Sequence, residues 1–120
     1  IRSIYHEYGH SIFYRLSRDG IPYAAEGAGL SEALAEYTFC TFADIQGIES
    51  SGSCRSSAKY PEDYKGKDAH DDADIITGTL WDLRDKLINK LGREDGIKMT
   101  DSLAYNALRF QPRSFNDYII

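Results

Sequence analysis

The sequence predicts a mainly α fold, a single helical lobe. Three observations carry that prediction. Apolar residues recur at spacings of three and four along several stretches, glycine and proline fall where those stretches end, and no alternating strand pattern or repeat occurs. A chain of 120 residues has room for one core and not for two independent ones.

The first helix is expected from Ile1 to Leu16, where Ile1, Ile4, Tyr5, Tyr8, Ile12 and Leu16 mark one face, with Gly20 and Pro22 ending it. After a glycine-rich connection, Leu30, Ala33, Leu34, Tyr37 and Thr41 predict a second helix from about Leu30 to Ile45. Residues 46–70 keep neither period and read as a long irregular excursion, a length that usually serves function or is poorly ordered. Ile76, Leu80, Leu83, Leu87 and Leu91 predict a third helix, with aspartates near its start and Gly92 at its end. Met99, Leu103, Ala107 and Phe110 predict a fourth, closed by Pro112, and Ser114 with Asp117 forms a capping pair that opens a fifth.

Composition excludes whole classes of partner. The net charge is -5 and no Lys/Arg cluster occurs, so a nucleic-acid backbone finds no footprint. No apolar run approaches the roughly 20 residues that span a bilayer, which predicts a soluble chain with no membrane partner. The chain opens on Ile1 with no methionine or signal-peptide pattern, and is expected to be part of something longer. Cys40 and Cys54 enclose a Ser/Gly-rich segment; they form one bridge between a helix end and the next loop, or remain two unpaired buried residues.

The chemistry gathers at HEYGHSIFY, residues 6–14. Only three histidines occur, and His6 and His10 stand four apart with Glu7 directly after the first. On a helix that spacing turns both imidazoles toward one ion, while Glu7 lies beside the pair, placed to hold a water as general base. A catalytic zinc needs a third protein ligand and an open fourth position. The extended motif with a third histidine is excluded, because Leu16 occupies that position and Phe13 the one expected for glycine. Glu32 and Glu36 remain, one turn apart on the second helix. Such a pair is by itself more often a solvated face; beside a His-Glu-x-x-His helix, one carboxylate binds the ion and the other bonds to a ligand histidine.

These residues resemble the gluzincins, the thermolysin-like and fungalysin-like zinc metallopeptidases. SEALAEY is similar to the family's second helix, which makes Glu32 the third ligand in preference to Glu26 and Glu36. The resemblance makes Glu36 the partner of a ligand histidine, in a place where thermolysin-like proteins carry the shorter Asp. Tyr23, nine residues before Glu32, matches a family tyrosine that donates to the substrate oxyanion. DAHDDADIITGTLWDL resembles the segment in which a histidine preceding a helix donates to the same oxyanion, which falls on His70. Its neighbours Asp68, Asp71 and Asp72 would help hold it protonated. CRSSAKYPEDY resembles the loop whose arginine binds a substrate carbonyl, nominating Arg55, and PRSFNDYII resembles the start of the family's final helix. Without the resemblance, Tyr23 is a packed loop residue and His70 a solvated loop histidine.

The resemblance implies the helical lobe of a zincin-type enzyme: a secreted, Zn2+-dependent endopeptidase acting on polypeptide substrate, whose upper β-containing lobe precedes the zinc helix. The rival expectation is a non-catalytic zinc module in which His6, His10 and Glu32 fasten helices together. Structural sites usually take cysteine ligands and have no use for Glu7, which favours the enzyme. Whether the Asp-rich segments bind calcium stays open.

Overall fold

A computed structural model describes residues 2–17, 26–48, 54, 62–63, 69–110, 114 and 118. The described residues are mainly helical, and no strand occurs among them. Four α-helices follow in order: α1 (Arg2–Ser17), α2 (Glu26–Ile45), α3 (Ala69–Leu91) and α4 (Arg93–Asn106), the last running into a 3₁₀ turn at Ala107–Phe110.

α2 is the axis of the lobe. It packs against α1 on one side and α3 on another, and α4 lies against α3. Every residue from Gly27 to Thr41 is buried, so α2 has no solvent face in that stretch. Its sequence explains why: charged side chains are sparse and apolar or small ones occupy the whole circumference. Leu30, Leu34 and Tyr37 meet Phe13 of α1 and Ile75, Ile76, Leu80 and Trp81 of α3 in one core. The Thr77 hydroxyl of α3 donates to the Ala33 carbonyl of α2 at 3.2 Å.

Several expectations change. α2 begins at Glu26, not near Leu30, because Gly27, Ala28 and Gly29 are buried helical residues. Enclosure by neighbouring helices overrides the poor helix propensity of Gly27 and Gly29, which made the segment read as a connection. α3 begins at Ala69, so Ala69 and His70 leave the irregular excursion and enter its first turn. The apolar face expected for α4 is the wrong one: Met99, Leu103 and Phe110 are exposed, whereas Gly96, Ile97, Thr100, Ala104 and Leu108 are buried. Small residues make this contact. A Cβ at Gly96 would stand 2.5 Å from the Ile88 backbone, so α3 and α4 touch main chain to main chain. On α1 likewise, Ile4 and Tyr8 are exposed and the buried face runs through Gly9, Phe13 and Ser17. Gly92 ends α3 as expected, with φ 92° and its amide donating to the Ile88 carbonyl at 2.8 Å. Asp117 of the proposed fifth helix lies outside the described residues; the Tyr118 amide donates to the Ser114 carbonyl at 3.1 Å.

A polar network ties α2 to α3 and α4. The Tyr37 hydroxyl donates to Asp101 Oδ1 at 2.6 Å, and Thr38 and Tyr105 share a hydroxyl bond of 2.8 Å. Burial, reinforced by Asp101, pushes the Tyr37 hydroxyl far above its ordinary value. Burial lifts Tyr105 to about 12. Arg84, buried in α3, lies 4.4 Å over the Trp81 ring and pairs with Asp44 Oδ2 at 2.8 Å.

Candidate metal centre

At the HEYGH segment α1 lies almost on the backbone of α2. A Cβ at Gly9 would stand 2.6 Å from the Ala35 Cα, a distance no side chain tolerates. One turn away, Tyr5 stacks on Phe42 with ring centroids 3.7 Å apart. With the helices this close, His6 and His10 on either side of Gly9 reach the carboxylates of α2.

Glu32 lies between the two imidazoles. Its Oε2 is 3.0 Å from His6 Nε2 and its Oε1 is 3.3 Å from His10 Nε2. The other ring nitrogens are engaged from α2 as well: His6 Nδ1 lies 3.4 Å from Glu36 Oε2, and His10 Nδ1 is 2.7 Å from the Ser31 hydroxyl. Both Nε2 atoms thereby face the Glu32 carboxylate. Ligand atoms around a tetrahedral zinc ion, each about 2.0–2.2 Å from it, stand about 3.3–3.6 Å apart. The Glu32 contacts, 3.0 and 3.3 Å, are near that size but run to two different carboxylate oxygens, so what suits zinc is the donor set of two imidazoles and one carboxylate.

Burial decides between the two sequence readings of the carboxylate pair. Glu32 is 5% exposed and Glu36 8%, so they form no solvated face. Carboxylates removed from water need charged or hydrogen-bonding partners, and these two find them in His6 and His10. Glu7 differs: its side chain is exposed, and a carboxylate oxygen lies within 4.8 Å of a ring nitrogen of each histidine. Two acidic groups within reach of the same imidazoles thus have opposite environments, one buried and one open to solvent.

The remaining nominees are less fully placed. His70 sits in the first turn of α3, while its side chain lies outside the described residues. Tyr23 and Arg55 also lie outside them, as does Asp68. Asp72 is buried in α3.

Sequence reasoning missed Ser31. It is fully buried and holds His10, yet a serine preceding a glutamate has no signature; only the 21-residue separation from His10 closing in space reveals it. It also left the cysteines undecided. Cys40 and Cys54 are bonded to each other, with Cα atoms 6.1 Å apart, and Cys40 Sγ lies 3.9 Å from Glu36 Oε1.

Compared with protein-family models, curated proteins and solved structures, the chain matches none.

Proposed function

We propose that this chain is the helical lobe of a zinc-dependent endopeptidase of the gluzincin kind, with His6, His10 and Glu32 holding the ion. The observation that supports the reading best is Glu32, a buried carboxylate on α2 that faces the Nε2 atoms of both histidines on α1. Two nitrogens and one oxygen are a catalytic donor set, and both cysteines, being bonded to each other, offer no thiolate.

A bound zinc ion supplies a Lewis acid for the scissile carbonyl and acidifies a water. The chain's own groups do the rest. Glu7, exposed beside the histidines, would serve as general base and then hand its proton to the leaving amine. Glu36 and Ser31 fix the imidazoles through their Nδ1 atoms, so that neither ring turns when the ligand set is strained. By the resemblance, Tyr23 and His70 donate to the oxyanion, Arg55 binds a substrate carbonyl, and an upper lobe of the same protein holds the substrate strand. The disulfide suits an oxidising compartment, in keeping with secretion.

The test compares wild type with Glu7→Gln for zinc per chain and for hydrolysis of a fluorogenic peptide by the full protein. Retained zinc with abolished hydrolysis is expected. Loss of zinc in Glu7→Gln makes Glu7 a ligand and overturns its role as base. X-ray absorption of the zinc-loaded chain separates the rival module: an enzyme has three protein ligands and one exchangeable light atom, a structural staple four protein ligands.

A further inference from the structure

Residues 32, 36 and 40 of α2 are each four apart and therefore stack on one helix face. The first belongs to the metal centre and the last to the disulfide, with Glu36 between them. Its two oxygens face opposite ways: Oε2 lies 3.4 Å from His6 Nδ1, and Oε1 lies 3.9 Å from Cys40 Sγ. One carboxylate oxygen of Glu36 and both sulfurs gather within 4.8 Å of one another. We infer that the oxidation state of Cys40 and Cys54 sets the metal affinity of the centre through Glu36; the inference rests on His6, His10 and Glu32 being the metal site.

The bridged sulfurs carry no proton. The contact of Cys40 with Glu36 is then not a hydrogen bond, and the carboxylate's accepting capacity is directed at His6. Reduction changes this in two ways. It places S–H donors beside Oε1, which compete with His6 for the carboxylate. It also separates two sulfurs from a bonded distance of about 2 Å to a contact of about 3.5–4 Å, in a place where Cys40 is 0% and Cys54 1% exposed. A close-packed interior has no spare volume, so neighbouring groups must move, and the Glu36 carboxylate is one of them.

The step itself is thiol–disulfide exchange with a dithiol. One reductant thiolate attacks a bridge sulfur and expels the other cysteine as thiolate; the second reductant thiol then displaces the mixed disulfide. The bridge S–S bond breaks, one S–S bond forms in the reductant, and two electrons and two protons end on Cys40 and Cys54. Burial of both sulfurs makes the exchange slow in the folded chain, so the link is one of equilibrium affinity.

The experiment measures the zinc dissociation constant of the full chain by competition with a chromophoric chelator, oxidised and after reduction. A phosphine is the reductant, since it does not compete for zinc as a dithiol does; it takes oxygen from water and delivers the same two electrons, and Cys40→Ser/Cys54→Ser is measured beside it because freed thiols next to Glu36 can themselves bind zinc. Wild type and Glu36→Gln are compared, with far-UV circular dichroism on every sample. Reduction should weaken wild-type binding about 10- to 100-fold, the usual effect of disturbing a group behind a ligand, with helix content unchanged. Glu36→Gln should bind more weakly already when oxidised, and reduction should then change little. Equal affinity of oxidised and reduced wild type overturns the inference while leaving the metal site standing. Equal sensitivity of Glu36→Gln to reduction overturns the route through Glu36, and so does loss of helix on reduction. An oxidised wild type that binds no zinc removes the metal site itself, and the inference with it.

Discussion

Glu32 on α2 and His6 on α1, 26 residues apart in the chain, face each other at 3.0 Å with the carboxylate almost wholly withdrawn from water. Through its second oxygen Glu32 also meets the imidazole of His10, at 3.3 Å. Because a metal ion takes imidazoles in their neutral form, zinc binding at the proposed site would weaken as pH falls.

Removing Glu32 should therefore differ in kind from removing Ser31. Glu32→Ala deletes a proposed ligand and should strip zinc. Ser31→Ala keeps the three proposed ligands but frees His10 Nδ1, and should weaken zinc about 10- to 100-fold. Isothermal titration of zinc into both variants checks this; equal affinities would place the third ligand elsewhere.

Gly9→Ala tests the close approach of the two helices. At an open helical site alanine would gain about 1 kcal/mol over glycine. Here the added methyl meets Ala35 Cα at 2.6 Å, and overpacking of about 1–3 kcal/mol should outweigh the gain. Denaturant midpoints should fall for Gly9→Ala and hold or rise slightly for Ser11→Ala, which is exposed on the same helix. Zinc affinity should fall only in the first.

The comparison of these residues shows what a sequence can disclose. His6, Glu7 and His10 are legible because their chemistry and their helical spacing lie within five consecutive residues. The existence of four helices is legible from recurring apolar residues. The faces are harder to read. Gly9 and Gly96 mark the closest helix contacts, yet the absence of a side chain leaves no apolar signal, and counting large residues selects Ile4, Tyr8, Met99 and Leu103, which are exposed. The start of α2 is hidden for a related reason, since Gly27 and Gly29 belong to a helix only because neighbours enclose them. Ser31 and the Cys40–Cys54 pairing depend on distances across the fold, which local pattern does not carry.

Acid should act on the fold through Asp44. Burial favours its neutral form, but the hydrogen bond and charge of Arg84, joined by Arg93, outweigh this and hold the carboxyl below its ordinary value. A depressed folded value means stability that is present above about pH 4 and lost as pH falls through that lower value. Asp101 has the opposite sign: burial raises it against the pull of Tyr37 and Arg84, so protonating it with falling pH restores stability. Asp44→Asn should be less stable at neutral pH, and its unfolding free energy should vary less between pH 4 and 2 than that of wild type. Urea titrations across that range measure both.

Alkali should act through Tyr105. Its hydroxyl is pushed up to about 12 by burial, with the negative charge of Asp101 adding to the shift and the bond to Thr38 opposing it. A folded value above the unfolded one of about 10 means stability that is whole below pH 10 and lost as pH rises through 12. The amount is on the order of 2 kcal/mol. Tyr105→Phe should start less stable by roughly the worth of a hydrogen bond, about 1 kcal/mol, and then lose less between pH 10 and 11.5 than wild type. Absorbance at the tyrosinate band, followed with circular dichroism, checks the coincidence of ionisation and unfolding.

The enclosure of α2 on every side fixes the order in which the lobe comes apart. Its amides from Gly27 to Thr41 have no route to solvent short of dismantling both flanking helices, so their hydrogen exchange should report global unfolding. α1 is the outer partner, exposed along Ile4, Tyr8 and Tyr14, and is expected to open before α2 does. Because α1 carries His6 and His10 while α2 carries Glu32, an ion shared among them would leave when α1 lifts and α2 remains folded. Its residence time would then follow the opening of a single helix, and deuterium uptake in α1 would keep the same clock.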